Sequence, residues 1–197
     1  MFQTKITTDG VGQFKARYSQ AAFNAALRRT LNDLTNQAAT AVKLKIRATY
    51  NIKARDLVKR GTSNRNGMDV RLARGGDTDA YIVGFGKALP LINFVVSPKT
   101  PEEDRGRKRR NGVRVRVMHA GGNKQLKRVF VARMASGHIG LFERVSGPRY
   151  PIKQLYGPSV GAMLGNQASK DEVQRVVSSK AQEIFDRNIR FYSEKLR

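Results

Sequence analysis

Two long stretches with helical periodicity, one towards each end of the chain, most strongly limit the folds that this sequence can adopt. From about Ser19 to Thr49, apolar residues recur every three or four positions and therefore share one face of a helix. They are Phe23, Leu27, Leu31, Leu34, Ala38, Ala41 and Val42. Ser19 is a suitable N-cap. A helix of about 30 residues is roughly 45 Å long, so we expect it to project and to pack on neighbouring subunits.

The second stretch predicts a helix from Ser169 to Leu196. Ser169, followed three residues later by Glu172, has the pattern of a capping box at the start of this helix. Its predicted apolar face consists of Val173, Val176, Val177, Ala181, Ile184, Phe185, Ile189 and Tyr192. Shorter helices are predicted from Lys53 to Lys59, ending at Gly61, and from Pro158 to Gly165.

Between the helices, short runs alternate apolar and polar residues, which is typical of half-buried β-strands. These runs cover residues 68–73, 79–85, 91–96, 112–118, 127–134 and 138–145. In the clearest run, Val113, Val115 and Val117 face one side, while Arg114 and Arg116 face the other. The short connection at 135–137 favours an antiparallel hairpin, whereas the polar segment 97–112 is predicted to be a loop.

These patterns predict an α+β fold with a long N-terminal helix, an antiparallel β-sheet with an extended basic hairpin, and a long C-terminal helix. We expect both helices to pack on one face of the sheet. Residues 1–197 are predicted to form a single domain. Its parts are a helical region at 19–60, the sheet at 68–145 and a C-terminal helical region at 158–197.

The charge of the chain indicates a negatively charged partner. There are 38 Lys and Arg residues against 15 Asp and Glu residues, which gives a formal net charge of +23. Repulsion at this charge destabilises a compact monomer, so the surface is best explained by contact with nucleic acid, an acidic protein ring or anionic lipid. The sequence has no signal-like N-terminus and no apolar run of about 18 residues. We therefore expect neither standard secretion nor a membrane span.

The positive charge is densest from Lys99 to Arg128, where eleven cations and three acids leave a net charge of +8. We predict that this segment contacts a polyanion or an acidic partner. The predicted contact residues are Arg105, Arg107, Lys108, Arg109, Arg110, Arg114, Arg116, Lys124, Lys127 and Arg128. Three interpretations remain open: a surface that follows a phosphate backbone, a solvated hairpin that maintains solubility, and an arm that reaches an acidic subunit.

The sequence predicts no enzyme and no cofactor. Cysteine is absent, which excludes disulfides, cysteine nucleophiles and thiolate metal sites. His119 and His138 lack the spacing of a metalloprotease helix, and the acids 102–104 are better interpreted as loop charges. The glycine pair at 121–122 lacks the remainder of a phosphate-binding loop. We therefore predict a protein that acts by binding.

The most distinctive stretch is 129–152, in which two adjacent strands run into an Arg-Tyr-Pro-Ile corner formed by Arg149, Tyr150, Pro151 and Ile152. Its distinctive residues are Ala132-Arg133-Met134, Gly137-His138, Phe142-Glu143-Arg144-Val145 and Gly147-Pro148 before the corner. A segment with Pro, Val and Met follows from Leu155 to Leu164, before the last helix. This order of features resembles the minor tail protein Z, or tail-completion, family of lambda-like phages.

The resemblance implies a late structural protein of a tailed phage that completes the tail and enables head–tail joining at the neck. Its implied partners are other tail and neck proteins, such as tail terminator or connector subunits, with further copies of itself in a ring around the tail axis. DNA in the axial channel is a further implied contact, with Arg114 and Arg116 lining the channel or touching a partner. The implied location is the virion tail or neck, after assembly in the host cytoplasm. The rival interpretations are a sequence-nonspecific nucleic-acid-binding protein and an assembly factor that leaves the finished particle.

Overall fold

Two long helices bracket a series of short strands in the computed structural model, which describes residues 2–6, 18–58, 67–106, 112–145 and 151–195. The helices are α1 (Gln20–Thr49), α2 (Ala54–Leu57), α3 (Pro101–Arg105), α4 (Val160–Leu164) and α5 (Gln167–Lys195). The strands are β1 (Phe2–Ile6), β2 (Met68–Arg71), β3 (Ala80–Gly84), β4 (Ala88–Pro90), β5 (Val95–Ser97), β6 (Val113–Val115), β7 (Lys124–Leu126), β8 (Val129–Arg133), β9 (Ile139–Arg144), β10 (Ile152–Gln154) and β11 (Tyr156–Ser159). The predicted α+β class is confirmed.

The described strands form four small antiparallel sheets, whereas the sequence led us to expect one sheet. Their orders are β1-β3-β2, β5-β6-β7, β10-β9-β8 and β11-β4. The described strands have at most six residues, and shifts in register interrupt the β5–β6 and β11–β4 ladders, so no ladder extends far. The sheets nevertheless contribute to one main core, which includes Ile82, Phe94, Val113, Leu141 and Met163.

The predicted first helix is confirmed at both ends. Ser19 is its N-cap, and its Oγ accepts a hydrogen bond from the N–H of Ala22 at 3.3 Å. The N–H of Tyr50 donates to the carbonyl of Ile46 at 2.7 Å and closes the last turn. The predicted apolar positions are buried or half-buried along its length.

Helix α1 packs along α5, and α5 packs on α1 and α4. The expectation that both helices lie on one sheet face is therefore wrong, because α5 buries its apolar face mainly against α1. At one end of the pair, Phe23, Ala26, Phe185 and Ile189 form a cluster separate from the main core. The rings of Phe23 and Phe185 meet edge-on with centroids 6.2 Å apart. The exposed surface of α5 is nearly balanced in charge, since the helix carries six cations and five acids.

A buried polar layer interrupts the apolar contact between α1 and α5. The side-chain amide of Asn188, which is 6% exposed, donates to Thr30 Oγ1 at 3.1 Å and to Asp33 Oδ2 at 3.4 Å. Arg29 and Arg187 each pair with the same carboxylate at 3.2 Å. Because only one alignment of the two helices satisfies these groups, the layer fixes their register.

We expect Asn188→Ala to lower the free energy of unfolding by about 1–3 kcal/mol, because Thr30 and Asp33 lose a buried donor. Urea unfolding measured by circular dichroism tests this. The matched control is Gln182→Ala, which removes an exposed bond to Asp186 on the same helix and should change stability by less than about 0.5 kcal/mol. Equal losses in the two variants would show that the polar layer does not specify the packing.

The start of α5 differs from the predicted capping box. The helix begins at Gln167, and Asn166 Oδ1 accepts from the N–H of Ala168 at 3.0 Å. Ser169 is buried inside the first turn, where its Oγ donates to the carbonyl of Met163 at 2.9 Å. Glu172 instead pairs with Arg175. The prediction failed because the turn that links α4 to α5 brings Asn166 to the cap position.

Helix α4 also begins later than expected. It starts at Val160, with Ser159 Oγ accepting from the N–H of Ala162 at 3.0 Å. Pro158, expected in its first turn, lies in β11 instead. The short helix predicted from Lys53 to Lys59 is α2, but it ends at Leu57 because Val58 is already extended, and the expected stop at Gly61 lies outside the described residues.

Three predictions in the middle of the chain need correction. Residues Leu91–Phe94, expected in a strand, form a 3₁₀-helix, and β5 begins only at Val95. The expected loop contains α3, because Thr100 caps it by accepting from the N–H of Glu103 at 3.2 Å and Pro101 occupies its first turn. The predicted strand 112–118 is reduced to the three residues of β6.

Candidate functional site

A cleft of about 980 Å³ lies between α3, the β8–β9 hairpin and the residue that precedes β6. The lining residues are Pro101, Asp104, Arg105, Gly112, Lys127, Arg128, Val129, Phe130, Val131, Ala132, Arg133, Arg144 and Val145. Its size is at the upper end of the range for ligand sites in proteins. Five cations and a strand of mainly apolar residues therefore share one concavity.

The five cations reach the cleft from four parts of the fold. Arg105 ends α3, Lys127 and Arg128 form the β7–β8 turn, Arg133 ends β8 and Arg144 ends β9. All five are exposed. Among the described residues, no carboxylate forms an ion pair with any of them. Like charges that lie close together repel each other, so the cleft favours an anionic occupant.

The floor of the cleft is the outer edge of β8. The N–H of Met134 donates to the carbonyl of His138 at 2.8 Å, and hydrogen-bonded pairs alternate along an antiparallel ladder. The N–H groups of Val129, Val131 and Arg133 therefore point away from β9, towards α3. The cleft thus offers main-chain donors beside its cations.

Asp104 shows how a carboxylate can sit on this edge. The side chain is 7% exposed, and its Oδ2 accepts from the N–H of Val131 at 3.0 Å. Nearby, a main-chain hydrogen bond lowers the pKa of Glu102. Desolvation opposes this effect, and Thr100, Arg133 and Arg105 lower the pKa further. Glu102 is therefore charged at neutral pH.

One cation is positioned by an aromatic ring. The guanidinium of Arg144 lies over the ring of Phe130, 5.5 Å from its centroid. The other neighbour of this ring is Phe142, with centroids 6.3 Å apart. A cation over an aromatic face is stabilised by the ring quadrupole, so Arg144 is held at the cleft wall.

The charge pattern of the sequence predicted Arg105, Lys127 and Arg128 as contact residues but not Arg133 and Arg144. These two come from strands that flank the turn at 135–137, so they are distant in sequence from the basic loop. The predicted hairpin contained the necessary signal, because antiparallel pairing places the end of β9 beside the start of β8.

The remaining predicted contact residues either lie away from the cleft or fall outside the described residues. Arg114 and Lys124 are exposed on β6 and β7 and do not line the cleft. Arg116 lies beyond the end of β6 and is half-buried, and its guanidinium donates to the carbonyl of His119 at 2.7 Å. Its Nε is buried and has no hydrogen-bond partner among the described residues. Predicted contacts that lie outside those residues are Arg107, Lys108, Arg109 and Arg110.

The Arg-Tyr-Pro-Ile corner connects β9 to β10. The carbonyl of Pro151 accepts from the N–H of Val145 at 3.1 Å, and Ile152 pairs with Arg144 across the ladder. The corner therefore holds the end of β9, where Arg144 and Val145 line the cleft. Arg149 and Tyr150 lie outside the described residues.

Comparison with known proteins decides the family. The sequence profile of prophage minor tail protein Z matches residues 12–196. The chain belongs to the minor tail protein Z family. As a member of the minor tail protein Z family, it is a structural protein of the phage tail and thus of the virion. No curated protein and no solved structure matches the chain significantly.

Membership of the minor tail protein Z family implies contacts with other phage tail proteins. None of the described helices is both long enough and apolar enough to cross a membrane.

Proposed function

We propose that this protein completes the phage tail and makes it competent to join the DNA-filled head, by binding at the neck without catalysing a reaction. The observation that carries this proposal is the family match over residues 12–196. The basic cleft supports it, because joining two finished assemblies needs a surface that recognises a partner.

The expected partners are subunits of the tail terminator or connector, together with further copies of this chain around the tail axis. Virion rings have closed symmetry, which favours several copies. Copies that each carry a formal charge of +23 repel one another. Such a ring therefore needs anionic neighbours, either acidic subunits or DNA in its lumen.

The decisive experiment deletes the gene in its phage and examines the lysate by negative-stain electron microscopy. We expect DNA-filled heads beside full-length, unjoined tails. Adding the purified protein to this lysate should restore joined, infectious particles. Joined particles with normal infectivity in the absence of the gene would exclude the proposed role.

A second candidate function is sequence-nonspecific nucleic-acid binding, favoured by the cations of the segment 105–153. That segment contains fourteen Lys and Arg residues and one acid, Glu143. This function predicts an affinity for duplex DNA that falls steeply as salt rises, because each neutralised phosphate releases counterions. A shallow salt dependence would exclude it.

The remaining alternative is an assembly factor that does not stay in the particle. Mass spectrometry of purified virions separates it from the tail-completion role, because a neck protein remains in the joined particle. Absence of the protein from infectious virions would favour the assembly factor.

A further inference from the structure

We infer that the basic cleft binds an acidic segment of a protein partner that also carries apolar side chains. The inference deepens the proposed function by naming the chemistry that the partner presents to this cleft. It depends on three independent features: the cations without an ion pair, the edge of β8 that points away from β9, and the apolar lining.

The first feature is the arrangement of cations. Arg105, Lys127, Arg128, Arg133 and Arg144 surround one concavity and, among the described residues, make no ion pair. Four are arginines, whose planar guanidinium groups match the two oxygens of a carboxylate. The charges come from α3, a turn and two strands, so the fold itself brings them together.

The second feature is the edge of β8. Val131 already binds a carboxylate through its N–H, since Asp104 Oδ2 lies 3.0 Å away. The N–H groups of Val129 and Arg133 point in the same direction and flank this contact. Asp104 is therefore an internal example of the acidic side chain that the cleft selects.

The third feature favours protein over DNA. Between the cations, the cleft is lined by Pro101, Val129, Phe130, Val131, Ala132 and Val145, whose side chains form no hydrogen bond with a phosphate. The ring of Phe130 already lies against Arg144, so it is not a free platform for an unpaired base.

The test measures binding of short fluorescein-labelled probes to the full-length protein by fluorescence anisotropy at physiological salt. The probes are a peptide of alternating glutamate and leucine, the matching glutamine and leucine peptide, and a DNA duplex. The cleft variant is Arg128→Glu with Arg133→Glu. The matched control is Lys87→Glu with Arg190→Glu, which reverses two exposed charges outside the cleft.

We expect the acidic peptide to bind the wild-type protein and to lose at least about tenfold in affinity for the cleft variant, because two cations of the site are reversed. The control variant should lose less than about threefold, since exposed charges outside the site act only through a screened field. The glutamine peptide should bind much more weakly than the acidic one. The affinity for the DNA duplex should fall by the same factor in both variants, because the two variants have the same net charge.

Three results would overturn the inference. They are no binding of the acidic peptide, an equal loss of affinity for that peptide in both variants, or a loss of affinity for DNA that is confined to the cleft variant. The last result would assign the cleft to nucleic acid. If the cleft variant does not fold, as judged by circular dichroism, Arg128→Gln with Arg133→Gln replaces it, with Lys87→Gln and Arg190→Gln as its control.

The gene deletion separates failure of this inference from failure of the proposed function. Joined particles without the gene would reject the neck role but leave the peptide result intact. If the wild-type protein and the cleft variant restore joining equally well, the cleft has no part in joining.

Discussion

Gly112→Ala is expected to lower the free energy of unfolding by about 2–5 kcal/mol. Two effects add up: alanine is strained in the left-handed conformation of this position, and its Cβ collides with neighbouring backbone. Gly112 has a φ of +77°, and an added Cβ would lie 1.9 Å from the carbonyl oxygen of Leu126. That oxygen belongs to β7, which pairs with β6 immediately after Gly112. Since backbone cannot move aside as a flexible side chain does, the β6–β7 register must shift.

Gly137→Ala is the matched control for this prediction. Gly137 has a φ of +80°, but an added Cβ would meet nothing within 4 Å. It should therefore cost only the left-handed strain of about 1–2 kcal/mol. Urea unfolding of the two variants measures the difference. If both substitutions lower the free energy of unfolding equally, the backbone at Leu126 moves aside to make room for the added Cβ. Because Gly112 lines the cleft, its variant should also weaken binding of the acidic peptide.

Phe23→Ala should cost about 3–5 kcal/mol, the usual range when a buried phenylalanine is truncated. Phe23 is 1% exposed and meets Phe185 edge-on. Among the described residues, it is the largest fully buried side chain of a cluster of four buried residues, against which Tyr18, Leu27 and Tyr192 are half-buried. Little apolar contact therefore remains to hold this end of α1 against α5 after the substitution. Thermal unfolding measures the loss.

The control for Phe23 is Phe191→Ala, at the same end of the helix pair. Phe191 is 55% exposed and contacts Tyr192 and Lys195, so its loss should cost less than about 1 kcal/mol. Amide hydrogen exchange adds a readout by region. Phe23→Ala should speed exchange in the first turns of α1 more than in the strands. Equal acceleration of exchange in α1 and in the strands would show that the Phe23 cluster and the main core unfold as one unit.

The helices could be predicted from the sequence because their signals are local. The spacing of apolar residues and the cap at Ser19 predicted α1 to the residue, since both depend only on near neighbours in the chain. The start of α5 was missed because Asn166 and Ser169 are both suitable caps. The choice between them depends on how the preceding turn packs, and neither composition nor periodicity reports that.

The sheets were less predictable because strand pairing joins distant segments. Apolar alternation located most strands but could not show that the described strands form four small sheets in place of one. The same dependence on strand pairing explains why the sequence predicted only part of the cleft. The loop charges were visible as a cluster, whereas Arg144 joins Arg128 only through the β8–β9 pairing and Arg133 lies at the far end of β8. Alternation also placed Arg114 and Arg116 on one face, but β6 ends between them and Arg116 turns into the fold.

The near balance of charge on α5 has a consequence for how the molecule meets its partner. The helix has a net charge of +1, whereas the segment 105–153 has a net charge of +13. A body with charge divided so unequally experiences a torque in the field of an anionic assembly, and it turns its basic region forward before contact. Encounters then begin already oriented, and their rate should fall as ionic strength rises.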